Sequence, residues 1–210
     1  MLYLLLFKED VILFKKHVPF LICICLLLIL IFFSSNPLTE DNHINAFPNL
    51  PAPIGEEDIL ITSAGQSAEG AILQSIAGSL HLKTDYRPRA LGTDLYDYQS
   101  VVIVLGYSAS GLIYTDRSFQ DELTRIKELV IEADKSNLPI ILVNLAGAHR
   151  EDNKTMVLFE QMVAHADYYI GLNNKKHMKF YLEKLDNYNV PATVVSNLND
   201  IHTPFNSVFR

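Results

Sequence analysis

Short apolar runs that end at small or polar residues recur along the chain after residue 57. The clearest run is Ser100–Leu105, which is rich in valine and stops at Gly106. A run of this length and composition is typical of a strand buried on both faces, as in a parallel sheet. We predict further buried strands at four similar runs, Asp58–Ser63, Ile140–Leu145, Asp167–Leu172 and Pro191–Ser196. The polar Lys83–Arg89 segment predicts an edge strand, because Pro88 suits an edge position.

Stretches with helical periodicity lie between these runs. In Ser118–Lys135 the apolar residues Leu123, Ile126 and Val130 share one face, and Ser118 is a suitable N-cap. Further patterns predict helices from Ser67 to about Leu80, over Asp152–Ala164, and from the Asn173-Asn174 turn to about Asp186. Strands that alternate with helices indicate βαβ units and a parallel sheet.

This alternation predicts one α/β domain over residues 58–201, with a three-layer αβα architecture. We expect a mostly parallel sheet of five or six strands, flavodoxin-like or Rossmann-like, with the strand order 2-1-3-4-5. Residues 202–210 follow the last predicted strand without a clear pattern, and we expect them to form a frayed tail.

A different pattern precedes the domain. Val18–Phe33 is apolar apart from its two cysteines, with lysines before it and acidic residues after it. At about 1.5 Å per residue this run spans roughly 24 Å, and flanking residues extend it toward the thickness of a bilayer. We therefore predict a transmembrane signal anchor at residues 18–35, with residues 1–17 in the cytoplasm and the domain outside. Residues 36–57 contain four prolines and are predicted to be a linker.

The alternative is a signal peptide that is cleaved on export. Phe32 and Phe33 lie where cleavage favours small residues, so we favour the uncleaved anchor. The residues before Cys23 also lack the small side chain that a lipoprotein site needs. The predicted location is thus the cell membrane, crossed once, with the lipid bilayer as a partner of the N-terminal helix.

The net charge and the positions of the cysteines argue against some classes of function. The 210-residue chain has a net charge of -7, and most of the acidic excess lies in the domain. An acidic domain argues against nucleic acid as a partner, because that binding needs a basic face. Both cysteines lie in the apolar segment, so the domain has neither a disulfide nor a thiolate zinc site. The histidines are scattered, and we predict no bound metal.

In folds of this type, ligands bind outside the carboxyl ends of the strands. Four predicted loops arrive there, at residues 63–67, 106–111, 146–151 and 172–175. The first contains Gly65-Gln66-Ser67 directly before a predicted helix, and the backbone N–H groups of a helix N-terminus attract anions. The chain has neither a Gly-x-Gly-x-x-Gly fingerprint nor a P-loop, and we predict no cofactor.

Side chains in the other loops are suited to a polar or anionic ligand. Ser108 and Ser110 supply hydroxyl donors, and Arg150 offers a fork that matches two oxygens. The predicted ligand-binding residues are Gly65, Gln66, Ser67, Ser108, Ser110 and Arg150. We assign no catalytic residue and predict a membrane-anchored extracytoplasmic module that binds a small polar or anionic ligand.

Two other functions remain open on the sequence. A serine hydrolase or transferase would use Ser108 or Ser110 as nucleophile and His149 as base. The second glycine of this loop, however, falls one residue too late for a Gly-x-Ser-x-Gly elbow. If the loops are ordinary turns, the domain would instead be a protein-interaction module.

Residues 58 to about 201 resemble an uncharacterised bacterial family of exported α/β domains, a domain of unknown function. The resemblance lies in Ile61–Ser67 (ITSAGQS), Gly106–Leu112 (GYSASGL), Gly147 with Arg150, and the Asn173-Asn174 turn. The chain departs from the family pattern at Ser110, where a lysine is expected, and around 147–151, where a second glycine and a more basic run are expected. The resemblance implies the fold and an exported location, and it implies no particular chemistry.

Overall fold

Six strands form one sheet in which all paired neighbours are parallel. The computed structural model describes residues 49–146, 150, 152–173 and 177–210. The strands are β1 (Ile59–Ala64), β2 (Thr84–Tyr86), β3 (Ser100–Leu105), β4 (Ile140–Asn144), β5 (Tyr168–Leu172) and β6 (Ala192–Val195). Their spatial order is β2-β1-β3-β4-β5-β6. The predicted α/β fold and parallel sheet are confirmed, and the predicted order 2-1-3-4-5 continues into a sixth strand at one edge.

Helices connect the strands and follow the last one. The α-helices are α1 (Glu69–Ser79), α2 (Ala109–Tyr114), α3 (Phe119–Lys135), α4 (Asn153–Met162), α5 (Met178–Asn187) and α6 (His202–Ser207). Short 3-10 segments cover Gly92–Asp97, Val163–His165 and Leu198–Ile201. The short helix α2 begins inside the predicted loop at 106–111, because Ser108 caps it.

Helices cover both faces of the sheet. Leu60 and Ile103 belong to a cluster that includes side chains of α3, α4 and α5. Ile61 and Val102 belong to a second cluster, which includes side chains of α1 and α6. Every residue of β1 and β3 is buried. The core therefore lies on both sides of the sheet, and this is why the central strands read as uninterrupted apolar runs.

Helix α3 begins where the sequence predicts. The Ser118 hydroxyl accepts a hydrogen bond from the Asp121 N–H at 3.1 Å, and the Asp121 carboxylate accepts one from the Ser118 N–H at 2.8 Å. This reciprocal cap satisfies both N–H groups and sets the start of the helix. Glu122 and Arg125 lie on the buried face of the helix that starts in this way.

The prediction of a frayed tail at residues 202–210 is wrong, because this segment packs on the sheet. Phe205 in α6 and the following Val208 are fully buried, in the same cluster as α1. Ile201, Phe205 and Val208 recur at helical spacing, which is the pattern of a helix with one buried face. The segment is short and polar residues lie between these three positions, so the helical pattern is weak in the sequence.

The end of the predicted linker is also attached to the domain. The N–H groups of Ile54 and Gly55 donate to the Val208 carbonyl at 3.0 and 2.9 Å. The Glu56 N–H donates to the Ser100 hydroxyl at 2.9 Å, and that hydroxyl donates to the Glu56 carbonyl at 2.8 Å. These bonds tie the chain just before β1 to the C-terminal segment and to the start of β3.

The predicted anchor at residues 18–35 lies outside the described residues, as do residues 1–17 and the first part of the linker. Within the part of the chain that the structure describes, no helix is both long enough and apolar enough to cross a bilayer.

Candidate functional site at the carboxyl edge of the sheet

The loops that follow β1 and β3 contact each other directly. The Gly106 N–H donates to the Ala64 carbonyl at 2.9 Å, and the Ser108 N–H donates to the Gly65 carbonyl at 2.8 Å. Gly65 and Gln66 have positive φ angles of 97° and 60°, so the backbone turns sharply after β1. Since β1 and β3 lie side by side where the strand order reverses, this contact is at the switch point of the sheet.

Glycines permit the close approach of these two loops. A Cβ at Gly65 would lie 2.5 Å from the Gly106 carbonyl oxygen, and a Cβ at Gly111 would lie 2.2 Å from the Gln66 carbonyl oxygen. Neither distance is tolerable, so a larger residue at either position would push the loops apart. Close packing of the two loops therefore explains the glycines at positions 65 and 111.

Ser108 and Ser110 differ in exposure and in role. Ser108 is buried, and its hydroxyl accepts a hydrogen bond from the Gly111 N–H at 3.1 Å as the N-cap of α2. The exposed Ser110 hydroxyl lies 3.1 Å from the Ser108 hydroxyl. Ser110 is therefore the one of the two that is accessible to a ligand. The base of the hydrolase hypothesis, His149, lies outside the described residues, and that hypothesis remains a prediction.

Gly65 and Gln66 are held by a carboxylate of α3. The Gln66 side-chain amide donates to the Pro88 carbonyl at 3.0 Å and to Glu122 Oε1 at 3.1 Å. The Gly65 N–H donates to the same Glu122 oxygen at 2.8 Å. Both residues were predicted to bind a ligand, and in the structure their polar groups hold the loop to the helix beneath it.

Glu122 forms a buried ion pair with Arg125. Arg125 donates from Nε to Glu122 Oε2 at 2.9 Å and from Nη2 to Glu122 Oε1 at 2.7 Å. Its Nη1 donates to the Ala90 carbonyl at 2.7 Å, and its Nη2 also bonds to the Ser63 carbonyl. One guanidinium thus ties α3 to the end of β1 and to the segment after β2.

The charge of Glu122 is stabilised by these partners. Burial alone would raise the pKa of Glu122, but the hydrogen bonds and charge of Arg125, together with the Gly65 N–H and the Gln66 amide, lower it further than burial raises it. The pKa of Glu122 is therefore below its ordinary value, and the carboxylate is ionised at neutral pH.

The predicted site does not include Glu122 and Arg125, although the sequence contains a pattern that indicates a buried ion pair. They fall at helical spacing with Ile126 and Leu129, in the apolar stripe of α3. Charged residues are seldom fully buried unless they are paired, so a Glu–Arg pair inside an apolar stripe indicates a buried ion pair.

Arg150 lies at the predicted edge, and its main partner is a carboxylate of the protein itself. Its Nε donates to Glu69 Oε1 at 2.6 Å, and its Nη1 donates to the Tyr107 carbonyl at 3.1 Å. Burial would raise the pKa of Glu69, but the hydrogen bond and charge of Arg150 hold it below its ordinary value. Glu69 is the first residue of α1, where the helix dipole favours a negative charge, so the predicted anion position is filled by Glu69.

The sequence predicts that helix α1 starts at Ser67, but its N-cap in the structure is Ala68. The Ser67 side chain is 3% exposed, and its hydroxyl has no partner of good hydrogen-bond geometry among the described residues. That hydroxyl faces Glu69 closely enough to lower the pKa of the carboxyl, but it does not meet hydrogen-bond geometry. Glu69 Oε2 is also buried, and no described group donates to it with good hydrogen-bond geometry. Two buried polar oxygens therefore lie beside the Arg150 ion pair.

Gly106 brings Ser67 and Arg150 together. A Cβ at Gly106 would lie 2.5 Å from Ser67 Oγ and 3.2 Å from Arg150 Cδ. We call Ser67, Glu69, Gly106 and Arg150 the edge cluster. In the described part of the chain, no three histidine, aspartate or glutamate side chains are grouped so as to hold a metal ion.

The predicted site residues thus meet at one edge of the sheet and divide into two groups. Gly65, Gln66 and Ser108 hold the loops in place, whereas Ser110 is exposed, Arg150 is partly exposed and Ser67 is buried beside Glu69. The residue of the edge cluster that the predicted set lacks is Glu69.

An all-parallel sheet covered by helices on both faces, with closely packed loops at its switch point, defines a doubly wound α/β domain of flavodoxin-like strand order. Residues 56–209 match the family described as a domain of unknown function (DUF6305), and the chain belongs to that family. The predicted membership of a family of unknown function is confirmed, and the matched residues include α6. No curated protein matches the chain.

Proposed function

We propose that the domain is an extracytoplasmic binding module that takes a small polar or anionic ligand at the carboxyl edge and is tethered to the membrane by residues 18–35. The observation that carries the ligand part is the Arg150 guanidinium. Among the described residues, two of its N–H donors bond to Glu69 and Tyr107, and a guanidinium has five donors in all. The Arg150 side chain is 29% exposed, so a molecule in solution can reach it.

The position of Arg150 supports the same proposal. Doubly wound α/β domains bind ligands at the carboxyl ends of the strands, where the strand order reverses. The exposed hydroxyl of Ser110 belongs to the same pair of loops, and the buried Ser67 hydroxyl lies near Arg150, since both would contact a Cβ at Gly106. These groups supply both donors and acceptors, as a small polar ligand requires.

The test is a thermal unfolding screen on the full chain in mild detergent, followed by circular dichroism. Phosphates, carboxylates, nucleotides and sugars are added one at a time at matched ionic strength. A ligand present at about 100 times its dissociation constant stabilises the folded state by roughly 2.7 kcal/mol, which raises the midpoint by several degrees. We expect that shift to be lost in Arg150→Gln.

The matched control is Arg210→Gln, which removes another partly exposed arginine from an ion pair with Glu57, just before β1 at the opposite edge of the sheet. It should leave the ligand-induced shift unchanged. A shift that persists in Arg150→Gln, or the lack of any shift across the panel, would contradict the proposed site.

The tether is tested separately by fractionating cells that express the full chain. If residues 18–35 anchor the protein, it should sediment with membranes and resist extraction at alkaline pH, and external protease should digest the domain. A chain without residues 1–35 should be soluble. A mature protein that begins after residue 35 would instead indicate a cleaved signal peptide.

A further inference from the structure

We infer that a second binding site, at the amino ends of β5 and β6, takes a small apolar cation such as a cycloalkylammonium ion. The site is a cavity of about 270 Å³. Tyr168 and Ala192, the first residues of β5 and β6, line it, so it lies at the end of the strands opposite to the edge cluster. The inference is therefore independent of the ligand proposed for the carboxyl edge.

Apolar side chains form most of the wall of this cavity. The described apolar residues that line it come from α5, from the start of β6 and from the chain before β1, and they are Leu182, Leu185, Val190, Pro191, Ala192, Leu50 and Pro51. The Tyr168 hydroxyl is hydrogen-bonded to Thr193, so Tyr168 offers its ring to the cavity. Such a wall favours a ligand with an apolar body, because binding removes both surfaces from water.

The volume of the cavity limits the size of that body. An apolar cavity of about 150 Å³ is enough to hold benzene. Pockets for drug-sized ligands begin at about 300 Å³. A cavity of about 270 Å³ therefore has room for one six-membered carbon ring with a charged substituent.

Asp186 supplies the negative charge among the described residues that line the cavity. It follows Leu182 and Leu185 at helical spacing, on the face of α5 that borders the cavity. Among the described residues no cation pairs with its carboxylate, since Lys184, two positions before it, pairs with Glu160 at 2.6 Å. An ammonium group at the mouth of the cavity therefore meets a carboxylate that has no other counter-charge.

This carboxylate decides which charge the ligand carries. It attracts an ammonium group and repels an anion of the same shape, and the net charge of -7 on the chain acts in the same direction. Because Asp186 is exposed, water partly screens the attraction. Apolar contact therefore supplies most of the affinity, and Asp186 selects among ligands that share one apolar body.

The test compares cyclohexylammonium, cyclohexanol and cyclohexanecarboxylate, which share a ring and differ in charge. Each is added at millimolar concentration and matched ionic strength to the full chain in mild detergent, and the unfolding midpoint is measured. We expect the midpoint to rise most with cyclohexylammonium, less with cyclohexanol and least with cyclohexanecarboxylate. Methylammonium, which lacks the apolar body, should leave the midpoint unchanged.

The first variant is Asp186→Asn, which removes the charge and keeps the shape of an exposed side chain. In this variant the shifts with cyclohexylammonium and cyclohexanol should become equal. Glu183→Gln is the matched control, because Glu183 is exposed on the same helix but does not line the cavity, and it should preserve the order of the three compounds. The same detergent is used for all three proteins, so uptake of the compounds by micelles cancels in the comparison.

The second variant, Ala192→Leu, tests the place of binding. Its larger side chain fills part of the cavity, and the shifts with cyclohexylammonium and cyclohexanol should both fall. An unchanged cyclohexylammonium shift in Ala192→Leu overturns the inference, as does an unchanged order of the compounds in Asp186→Asn. Equal shifts with the ammonium compound and the alcohol in the unaltered chain, or no shift with either, overturn it as well. Each of these outcomes leaves the proposed function standing, because that function is tested through Arg150.

Discussion

Two glutamate–arginine pairs stand at the same edge of the sheet, and they differ in burial and in bonding. Glu122 and Arg125 lie three residues apart on α3 and are both almost fully buried. Every carboxylate oxygen of Glu122 accepts a hydrogen bond, and the Arg125 guanidinium reaches two backbone carbonyls besides. The Glu69–Arg150 pair joins distant parts of the chain and is partly exposed. No described group donates to the second oxygen of Glu69 with good hydrogen-bond geometry, although the Ser67 hydroxyl faces the carboxyl.

This difference separates a structural pair from a candidate binding pair. A buried ion pair is tolerable only when further hydrogen bonds satisfy its remaining atoms, and Glu122–Arg125 meets that condition. A ligand would gain nothing there. The Glu69–Arg150 pair is partly exposed, so a molecule in solution can reach it, as a binding site requires.

The largest effect is expected from Glu122→Gln. It preserves the shape of the side chain but leaves Arg125 buried without a counter-charge, which costs about 3 kcal/mol or more of unfolding free energy. Urea denaturation measures this loss. Glu128→Gln is the control, because Glu128 lies exposed on the same helix and should change stability by at most about 0.5 kcal/mol. Equal losses of unfolding free energy in the two variants would show that the buried ion pair stabilises the fold no more than an exposed glutamate does.

A smaller loss is expected from Gly111→Ala, which tests the loop contact above the buried pair. Its Cβ would lie 2.2 Å from the Gln66 carbonyl oxygen, and such overpacking costs about 1–3 kcal/mol. Gly78→Ala is the matched control within α1, since no atom lies within 4 Å of the added Cβ. That substitution should stabilise the protein by up to about 1 kcal/mol, because alanine favours helix. A neutral Gly111→Ala would mean that the loops are not closely packed in solution.

The smallest effect on stability is expected from Glu69→Gln, at about 1 kcal/mol or less, because its pair is partly exposed. The pKa of Glu69 is lower in the folded state than its ordinary value of 4.5. Its stabilising contribution is therefore complete above that value and is lost as the pH falls through the lower, folded-state pKa. Urea denaturation of both proteins from neutral to acidic pH should show their difference disappearing on the acid side. A loss as large as that of Glu122→Gln would show that the two pairs do not differ in kind.

Much of the fold could be predicted from the sequence, because strands that are buried on both faces form uninterrupted apolar runs. Ser100–Leu105 is apolar throughout since both of its faces are covered, and the Ser118 cap marks the start of α3. The C-terminal helix α6 escaped prediction because its few apolar positions are separated by polar residues and a proline. Its place is decided by burial against α1 and the sheet, which is a long-range contact.

For the candidate site, the location could be predicted from the sequence, whereas the roles of the residues could not. Its location follows from the sequence, because the carboxyl ends of parallel strands meet at one edge and the small-residue loops at 63–67 and 106–111 mark it. The roles of its residues do not follow. Gln66 bonds to Glu122, 56 residues away, and Arg150 pairs with Glu69, 81 residues away, and no local pattern in the sequence indicates either partner.

By itself, the sequence determined the alternation of strands and helices, the acidic and cysteine-free character of the domain, and the edge at which its loops meet. Local periodicity, cap residues and composition carry that information, and each is read within a few neighbouring residues. Only the tertiary structure decided which charges pair, which hydroxyls are buried and which oxygens remain without a donor. Those properties depend on distances between residues far apart in the chain, and only the folded arrangement sets those distances.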